Sequence, residues 1–521
     1  MSRRWGSPGR RLTNGRASTP KRPILKIPRP AVTSIAENPD RLFAAASACL
    51  AAGSLSQAER LFQEILCVHP AHAESLHRLG VLAHQTGHPR AAATLIGRAI
   101  AVDGQRATYH CHLGIVLHAQ GDLDAAADCY ERAIALEPSF AEAWTNLGNA
   151  RLEQGETGAA VEHHRKALDL KPAIADFHYN LGNALRVTGG TNAAIEAYRN
   201  AILRSPGHAD AHLNLALLLL LKGDFAEGLE QYEWRWRVRA PTSPERDFDQ
   251  PPWRGEVLGS RVLLIHAEQG LGDTIQFCRY VAMVAKRGQV VFEVPRPLVR
   301  LISSLDPGCP IIAKGDQLPP FDVHCPLLSL PWAMGTRRDS IPGPVPYLFP
   351  AADQVARWRD RIATEGLRIG ITWQGNANAR LDRDRSVPLA QFAPLAQIPG
   401  VRLFSLQKAD GVAQLARLPN GFHVETFGGT LDAGADAFMD TAALMASLDL
   451  VITPCTAVAH LAGALGRPVW IALQALPHWT WMLETDTSPW YPTARLFRQS
   501  QAGDWTGVFD RMAKALGELA A

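Results

Sequence analysis

The spacing of hydrophobic positions along this chain changes near residue 260. In residues 39–242 they recur at helical spacing, in short segments separated by glycine or proline. From Arg261 onward, short aliphatic runs such as Val262-Leu-Leu-Ile-His266 alternate with helical segments. The first pattern predicts an array of helices. The second predicts a parallel, doubly wound α/β sheet.

The helical part repeats itself every 34 residues. Three columns carry the repeat: Gly53, Gly87, Gly121, Gly155, Gly189 and Gly223; Gly80, Gly114, Gly148 and Gly182; and Ala58, Ala92, Ala126, Ala160 and Ala194. Small residues let paired helices approach each other, and a glycine ends the turn within each pair. This pattern resembles the tetratricopeptide repeat and predicts an α superhelical solenoid of six units, 39–72, 73–106, 107–140, 141–174, 175–208 and 209–242.

Asparagines recur on the first helix of successive units, at Asn146, Asn149, Asn180, Asn183 and Asn214. Such solenoids usually bind a partner on the concave face, where these side chains are expected to point. One interpretation is a ladder of amides that holds the backbone of a bound peptide. The other is a polar surface, or caps within the repeats.

The second half predicts two sheets separated by a proline-rich linker. Its predicted strands are 262–266, 289–294, 310–313, 368–373, 401–406, 422–426, 450–453 and 468–473, and the linker is 341–350. The predicted domains are a basic disordered tail (1–38), the repeats (39–242) and two α/β domains (243–350 and 351–521). A cleft between two such sheets binds ligands in transferases, in binding proteins and in dehydrogenases.

One turn in the second α/β domain carries a phosphate-binding pattern. The strand Val451-Ile-Thr453 runs through Pro454-Cys455 into a helix of small residues that ends at Gly466. The N-terminus of such a helix presents unpaired N–H groups to an anion. We therefore expect the backbone N–H groups of Thr456, Ala457 and Val458 to bind a ligand phosphate.

Five segments together resemble bacterial tetratricopeptide proteins with a heptosyltransferase-like, GT-B type glycosyltransferase domain. They are Ala267–Phe277, Cys325–Pro331, Arg383–Pro388, Ala459–Gly466 and Ser488–Thr493. The resemblance implies two Rossmann-like domains, a nucleotide-diphosphate sugar as co-substrate, and neither a further cofactor nor a metal. It also implies that Asp273 is the general base, although the same residue could simply cap its helix. Gln269, Gly270 and Gly272 would form the acceptor loop.

The resemblance also implies a donor site in the second α/β domain. Arg385 would neutralise the leaving diphosphate, with Asn376 in the same polar loop; the alternative is a solvated pair formed by Arg383 and Arg385. His460 lies one turn into the helix after Thr456 and faces the same way. It would contact the donor, or else be a packed, hydrogen-bonded histidine.

Cys455 departs from the family pattern, which has an aspartate before the threonine. A thiol cannot supply a carboxylate acceptor, so the donor is altered, the activity is weakened or the domain is catalytically inactive. The last case describes a non-catalytic scaffold that binds proteins through its repeats. A further alternative is a thiol of lowered pKa at the helix N-terminus, able to react.

Composition sets the cellular context. The formal charge is +3, but residues 1–36 hold nine Lys or Arg and no acid, so the remainder is mildly acidic. Nucleic-acid binding is therefore not expected, and the tail could serve as an electrostatic tether. The eight cysteines form no CxxC pair, which predicts a reducing, cytoplasmic setting. Neither a secretory signal nor a transmembrane run is expected.

Overall fold

The computed structural model describes residues 39–238, 241, 245–362, 365–376 and 385–520. The predicted tail (1–38) and Arg383 lie outside these ranges. The chain divides into two compact units, Met1–His208 and Ala209–Ala521. The 34-residue period continues past this division, to residue 242 of the sequence.

The first unit is an array of paired antiparallel helices. Within its described residues these are α1 Pro39–Ala51, α2 Leu55–Val68, α3 Ala73–Gln85, α4 Pro89–Val102, α5 Ala107–Gln120, α6 Leu123–Leu136, α7 Ala141–Glu153, α8 Thr157–Leu170, α9 Ala175–Val187 and α10 Thr191–Arg204. Each pair matches one predicted repeat. The predicted α superhelical repeat is confirmed.

The two glycine columns have different physical causes. Gly121 ends α5 at φ 85° and ψ 9°, a left-handed conformation that glycine adopts without strain. Gly114 and Gly182 instead lie where two helices touch. A Cβ at Gly114 would lie 2.6 Å from the Tyr130 ring, and one at Gly182 would lie 2.5 Å from the Tyr198 ring. The first column makes the turns, and the second allows the close packing of each helix pair.

The second unit begins with α11 Ala209–Lys222, α12 Phe225–Tyr232 and a 3₁₀ turn, Glu233–Trp236. The strands of its first sheet are β1 Val262–His266, β2 Gln289–Val294, β3 Ile311–Ala313 and β4 Val323–Pro326. The helices in this part of the chain are α13 Leu271–Phe277, α14 Val281–Ala285, α15 Val299–Ser303 and α16 Leu330–Ala333. All four strands are parallel, in the order β3-β2-β1-β4. The order reverses between β1 and β4, so the loop after β1 lies at the switch point where such sheets bind ligands.

The second sheet follows helix α17 Ala352–Arg359. Its elements are β5 Leu367–Ile371, α18 Ala393–Ala396, β6 Val401–Ser405, α19 Met439–Met445, β7 Leu450–Pro454, α20 Ala457–Ala464, β8 Val469–Leu473, β9 Ala494–Arg498 and α21 Trp505–Ala520. The strands are parallel, in the order β6-β5-β7-β8-β9. Here the switch point lies between β5 and β7. Side chains of β5, β6, β7 and β8 pack with α21 in the core of this domain.

One predicted strand was wrong, and two strands were missed. Residues 422–426 form only an isolated bridge, between Phe404 and Glu425, because this segment meets the edge of β6 at one position. Strands β4 and β9 were not predicted, since polar or charged residues interrupt the aliphatic run in both. A 3₁₀ turn at Cys278–Tyr280 separates helix α13 from helix α14. In the part of the chain that the structure describes, no helix has the length and apolar character needed to cross a bilayer.

Candidate active site

Asp273 lies at the carboxyl end of the first sheet, in the first turn of α13. The backbone N–H of Gly270, which caps this helix, donates a hydrogen bond of 2.9 Å to Oδ2 of Asp273. The carboxylate therefore caps its helix, as the alternative interpretation expected, and the bond also fixes its orientation. Burial raises the pKa of Asp273 to about 6, against the lowering effect of the Gly270 N–H. A carboxylate with this pKa can exchange protons near neutral pH.

The N-terminus of α20 lies at the switch point of the second sheet. Thr456 caps the helix, but its side chain makes no capping hydrogen bond to the first turn. Its hydroxyl instead lies 3.1 Å from that of Thr453, which lies 2.6 Å from the hydroxyl of Thr372 at the end of β5. In the first turn the Ala459 N–H donates to the Thr456 carbonyl, and the N–H groups of Ala457 and Val458 are not capped by the Thr456 side chain. Such a terminus attracts an anion.

Gly272 lies where helix α13 of the first sheet meets helix α20 of the second. A Cβ on Gly272 would lie 3.1 Å from Cδ2 of His460 and 3.2 Å from the Cα of Ala457. Helices α13 and α20 therefore touch at their N-terminal turns. The resemblance placed Gly270 and Gly272 in an acceptor loop. In the structure, the close approach at Gly272 is to α20.

Arg385 faces the same place from the loop after β5. Its positive charge lowers the pKa of Asp273, Cys455, His460 and His478, although burial is the larger influence on each. One guanidinium thus acts on groups of both helices, α13 and α20, and its contact with a diphosphate stays a prediction. Asn376 is exposed at the start of the same loop. Residues 377–384 of that loop, with Arg383, lie outside the described residues.

His460 is packed rather than exposed. Its Nδ1 lies 3.0 Å from the Tyr491 hydroxyl, and its ring stacks on Trp481 at 5.1 Å between centroids. Burial lowers its pKa to about 3, so the imidazole is neutral at neutral pH. Both contacts agree with the packed, hydrogen-bonded alternative. They hold the ring on the helix face that meets Gly272.

Cys455 lies beside the α20 N-terminus as a neutral thiol. Burial raises the pKa of the thiol, and the indole N–H of Trp481 donates to Sγ at 3.0 Å. The shift is opposite to the one that a reactive thiolate requires, so the expectation of a lowered pKa was wrong. The Trp481 indole N–H thus donates to the side chain at the position where the family has a carboxylate. The sequence did not reveal this contact, because Trp481 follows 26 residues later.

Gln269 connects the loop of Asp273 to the last helical pair. Its amide Nε2 donates to the hydroxyl of Tyr232 in α12, at 3.1 Å. The preceding residue, Glu268, accepts a hydrogen bond from Arg235. Arg235 also donates to the hydroxyl of Ser329. The resemblance placed Gln269 in an acceptor loop, whereas no role was predicted for Arg235, Glu268 or Ser329. Their separation along the chain hid the contact.

The predicted asparagine ladder is partly occupied by contacts between repeats. Nδ2 of Asn146 donates to Sγ of Cys111 at 3.6 Å, and Nδ2 of Asn180 donates to Oγ1 of Thr145 at 3.2 Å. Oδ1 of Asn183 accepts from the Tyr198 hydroxyl. These three asparagines are partly exposed, and so are Asn149 and Asn214. The peptide-binding role stays a prediction.

The described residues hold no cluster of three or more His, Cys, Asp or Glu side chains with the spacing of a metal site.

Models of known families match both halves of the chain. Tetratricopeptide repeat models match residues 77–130, 114–155, 148–189 and 179–244. The model of glycosyltransferase family 9 (heptosyltransferase) matches residues 388–493, which contain α20 and begin after both Asp273 and Arg385. The chain therefore carries tetratricopeptide repeats and a heptosyltransferase-like glycosyltransferase domain, as the resemblance predicted.

Individual proteins are similar over part of the chain. Protein FlbA of Caulobacter vibrioides is 29% identical over 327 residues, which cover 57% of this chain and 53% of FlbA. The chain thus spans about half the length of that curated relative. Among solved structures, MamA is 25% identical with a TM-score of 0.29, covering 32% of this chain and 96% of MamA. PilF of Pseudomonas aeruginosa is 20% identical with a TM-score of 0.36, covering 39% of this chain and 91% of PilF.

Proposed function

We propose that this chain is a glycosyltransferase that moves a sugar from a nucleotide-diphosphate donor to an acceptor recruited by its repeats. One observation carries the proposal. A carboxylate of raised pKa, Asp273, lies across from a helix N-terminus with uncapped N–H groups, and Arg385 acts on both. Displacement of a diphosphate by a hydroxyl group needs a base on one side and positive charge on the other.

Asp273 takes the proton of the acceptor hydroxyl as that oxygen attacks the anomeric carbon. A bond forms between the acceptor oxygen and the anomeric carbon, and the bond from this carbon to the diphosphate oxygen breaks. The electron pair leaves on the diphosphate, and the configuration of the anomeric carbon is inverted. The Gly270 N–H holds Oδ2 throughout, which keeps the carboxylate aimed at the acceptor.

The departing diphosphate is stabilised by the N–H groups of Ala457 and Val458, by the dipole of α20 and by the Arg385 guanidinium. Asn376 lies in the same loop as Arg385 and is proposed to contact the donor. We propose that these groups suffice without a metal ion. Turnover that disappears in excess EDTA and returns with Mg²⁺ contradicts this part of the proposal.

The acceptor is proposed to be a protein or peptide. Tetratricopeptide repeats bind extended chains on their concave face, and Asn149, Asn180 and Asn183, which are partly exposed, are proposed to contact the bound chain. We place the reaction in the cytoplasm, because all eight cysteines are free. Recovery of the chain from a periplasmic fraction contradicts that placement.

A second candidate function rests on Cys455. Because the family carboxylate is absent, the domain could be a non-catalytic scaffold whose repeats bind partners. The two functions differ in whether the α20 site binds nucleotides. A scaffold has no requirement for a diphosphate contact.

A nucleotide screen separates the two functions. The melting temperature is measured with UDP, GDP, ADP and dTDP and with their sugar conjugates, since a ligand at 100 times its Kd stabilises by about 2.7 kcal/mol. The transferase predicts a shift with one nucleotide family, and release of that nucleoside diphosphate from its sugar conjugate. Asp273→Asn is expected to retain the melting shift and lose the release. If no nucleotide shifts the melting temperature at millimolar concentration, the scaffold is favoured.

A further inference from the structure

A buried ion cluster joins the last helical pair to the loop that carries Asp273. Arg235, in the 3₁₀ turn after α12, donates from Nη2 to Oε1 of Glu268 at 2.9 Å and from Nε to Oε2 at 3.2 Å. The side chains of Arg235 and Glu268 are 4% and 3% exposed. The two parallel hydrogen bonds form a bidentate pair, the strongest arrangement for these groups.

The remaining donors of Arg235 are also engaged. Nη2 donates to Oγ of Ser329 at 2.7 Å, and Nη1 donates to Oε1 of Glu233 at 2.6 Å. The Ser329 hydroxyl donates in turn to Oε2 of Glu233, and the backbone N–H of Leu328 donates to Oε1 of Glu268. The cluster therefore ties three separate parts of the second unit together: the 3₁₀ turn, the loop after β1 and the segment after β4.

The loop after β1 is short and is held at both ends. Glu268 is bound by Arg235, and the next residue, Gln269, donates to the Tyr232 hydroxyl one turn earlier in the same segment. At the other end, the Gly270 N–H binds Asp273 itself. Two consecutive loop residues are thus positioned by residues 232–236, and the third is bonded to the carboxylate.

We propose that Arg235 is a positioning residue for Asp273: the last helical pair, 209–236, is part of the catalytic apparatus and holds the loop of the general base through Glu268. This inference rests on the proposed function. It assigns to the end of the repeat array a second role besides partner binding. The cluster transmits the position of residues 232–236 to Asp273 over five residues of loop.

Loss of the pair between Arg235 and Glu268 would leave a charge buried without a partner. Without Arg235, Glu268 would be a buried and uncompensated carboxylate, which a protein avoids by protonation or by movement of the group. Burial already raises the pKa of Glu268, and Arg235 opposes that rise. The negative charge of Glu268 in turn raises the pKa of Asp273. The other titratable or charged groups acting on Asp273 are Arg385, Cys455 and Tyr232.

Hydrogen–deuterium exchange of the full chain tests the positioning without any substrate. Arg235→Lys keeps the charge but loses the bidentate bonds, so the amides of Gly270 and Thr274 are expected to exchange about tenfold faster, as one lost charged hydrogen bond implies. Arg237→Lys is the matched control. Arg237 is exposed in the same segment, and its guanidinium lies over the Trp234 ring. Faster exchange confined to residues 225–236 would show that Arg235 merely packs the helical pair, and would overturn the proposal.

The acid limb of the pH profile tests the link to Asp273. Glu268→Gln keeps the shape of the side chain and removes its negative charge, so the acid limb of kcat/KM is expected to move to lower pH. A purely structural defect lowers kcat/KM at every pH and leaves the limb in place, which would overturn the link. The substrate is whichever nucleotide sugar the wild-type chain turns over. If the wild type turns over none, the proposed function fails, and the exchange experiment still decides the positioning.

Discussion

The indole N–H of Trp481 donates a hydrogen bond to the Sγ of Cys455 at 3.0 Å. Cys455 immediately precedes Thr456, the N-cap of α20, and its thiol interacts electrostatically with both Arg385 and Asp273. The structure therefore presents a hydrogen-bond donor and a cation to a side chain that carries no charge. An aspartate at this position would find the same two partners already in place.

Cys455→Asp is expected to restore a carboxylate without disturbing the fold, because Trp481 and Arg385 would bind it. Its negative charge would also raise the pKa of Asp273, so the acid limb of kcat/KM is expected to move to higher pH. Cys455→Ser is the control, since it adds no charge. The measurement is kcat/KM against pH for all three chains; coincident limbs for Cys455→Asp and wild type would show that position 455 does not act on the base.

The pH profile of the wild-type chain reports Asp273 directly. The base must be ionised to accept a proton, and burial raises its pKa to about 6. The rate is therefore expected to be full above pH 7 and to fall as pH falls through about 6. Asp273→Asn is expected to lower kcat by roughly 10²–10⁴-fold and to remove this limb. A limb that persists in Asp273→Asn would assign the base to another residue.

Gly272→Ala is expected to destabilise the second unit. The new methyl group would lie 3.1 Å from Cδ2 of His460 and 3.2 Å from the Cα of Ala457, and overpacking of this kind costs about 1–3 kcal/mol. Gly517→Ala is the control, because a Cβ there meets nothing within 4 Å and lies in α21. It is expected to stabilise by about 0.5–1 kcal/mol. Chemical denaturation measures both, and equal effects would exclude close packing of α13 on α20.

His164 makes the first unit sensitive to acid. It occupies the position that holds Tyr130 in the preceding repeat and Tyr198 in the following one. Burial lowers the pKa of His164 to about 4. The unfolded chain takes up a proton near pH 6.5 and the folded chain does not, so stability is full above 6.5 and is lost as pH falls from 6.5 toward 4. His164→Tyr is expected to reduce this loss.

Calorimetry at pH 7.5 and pH 5 measures the difference for His164→Tyr and for a control, His88→Tyr, whose side chain is exposed. The control is expected to lose as much stability as the wild type does on acidification. A variant that loses as much as the control would show that His164 is not a source of acid sensitivity.

The sequence predicted the features that depend on local rules. Position 121 requires a left-handed backbone, and position 114 leaves no room for a side chain beside the neighbouring helix. Both positions therefore hold glycine at fixed spacing, which reveals the repeat. Aliphatic strands and the small-residue helix after Thr456 predicted the second sheet and the strand–turn–helix at β7 and α20. Short elements with polar residues, such as β4 and β9, escaped because their strand character depends on pairing with neighbours.

Tertiary structure alone decided which distant residues meet. Nothing local relates Arg235 to Glu268, 33 residues apart, or Cys455 to Trp481, 26 residues apart. Their pairing depends on how α12, β1 and α20 are stacked. The sequence by itself determined the repeats, the two sheets and the residue types at the site, because these follow from periodicity and backbone preference. The position and pKa of Asp273 follow from burial and from charges brought together by folding, which no local pattern encodes.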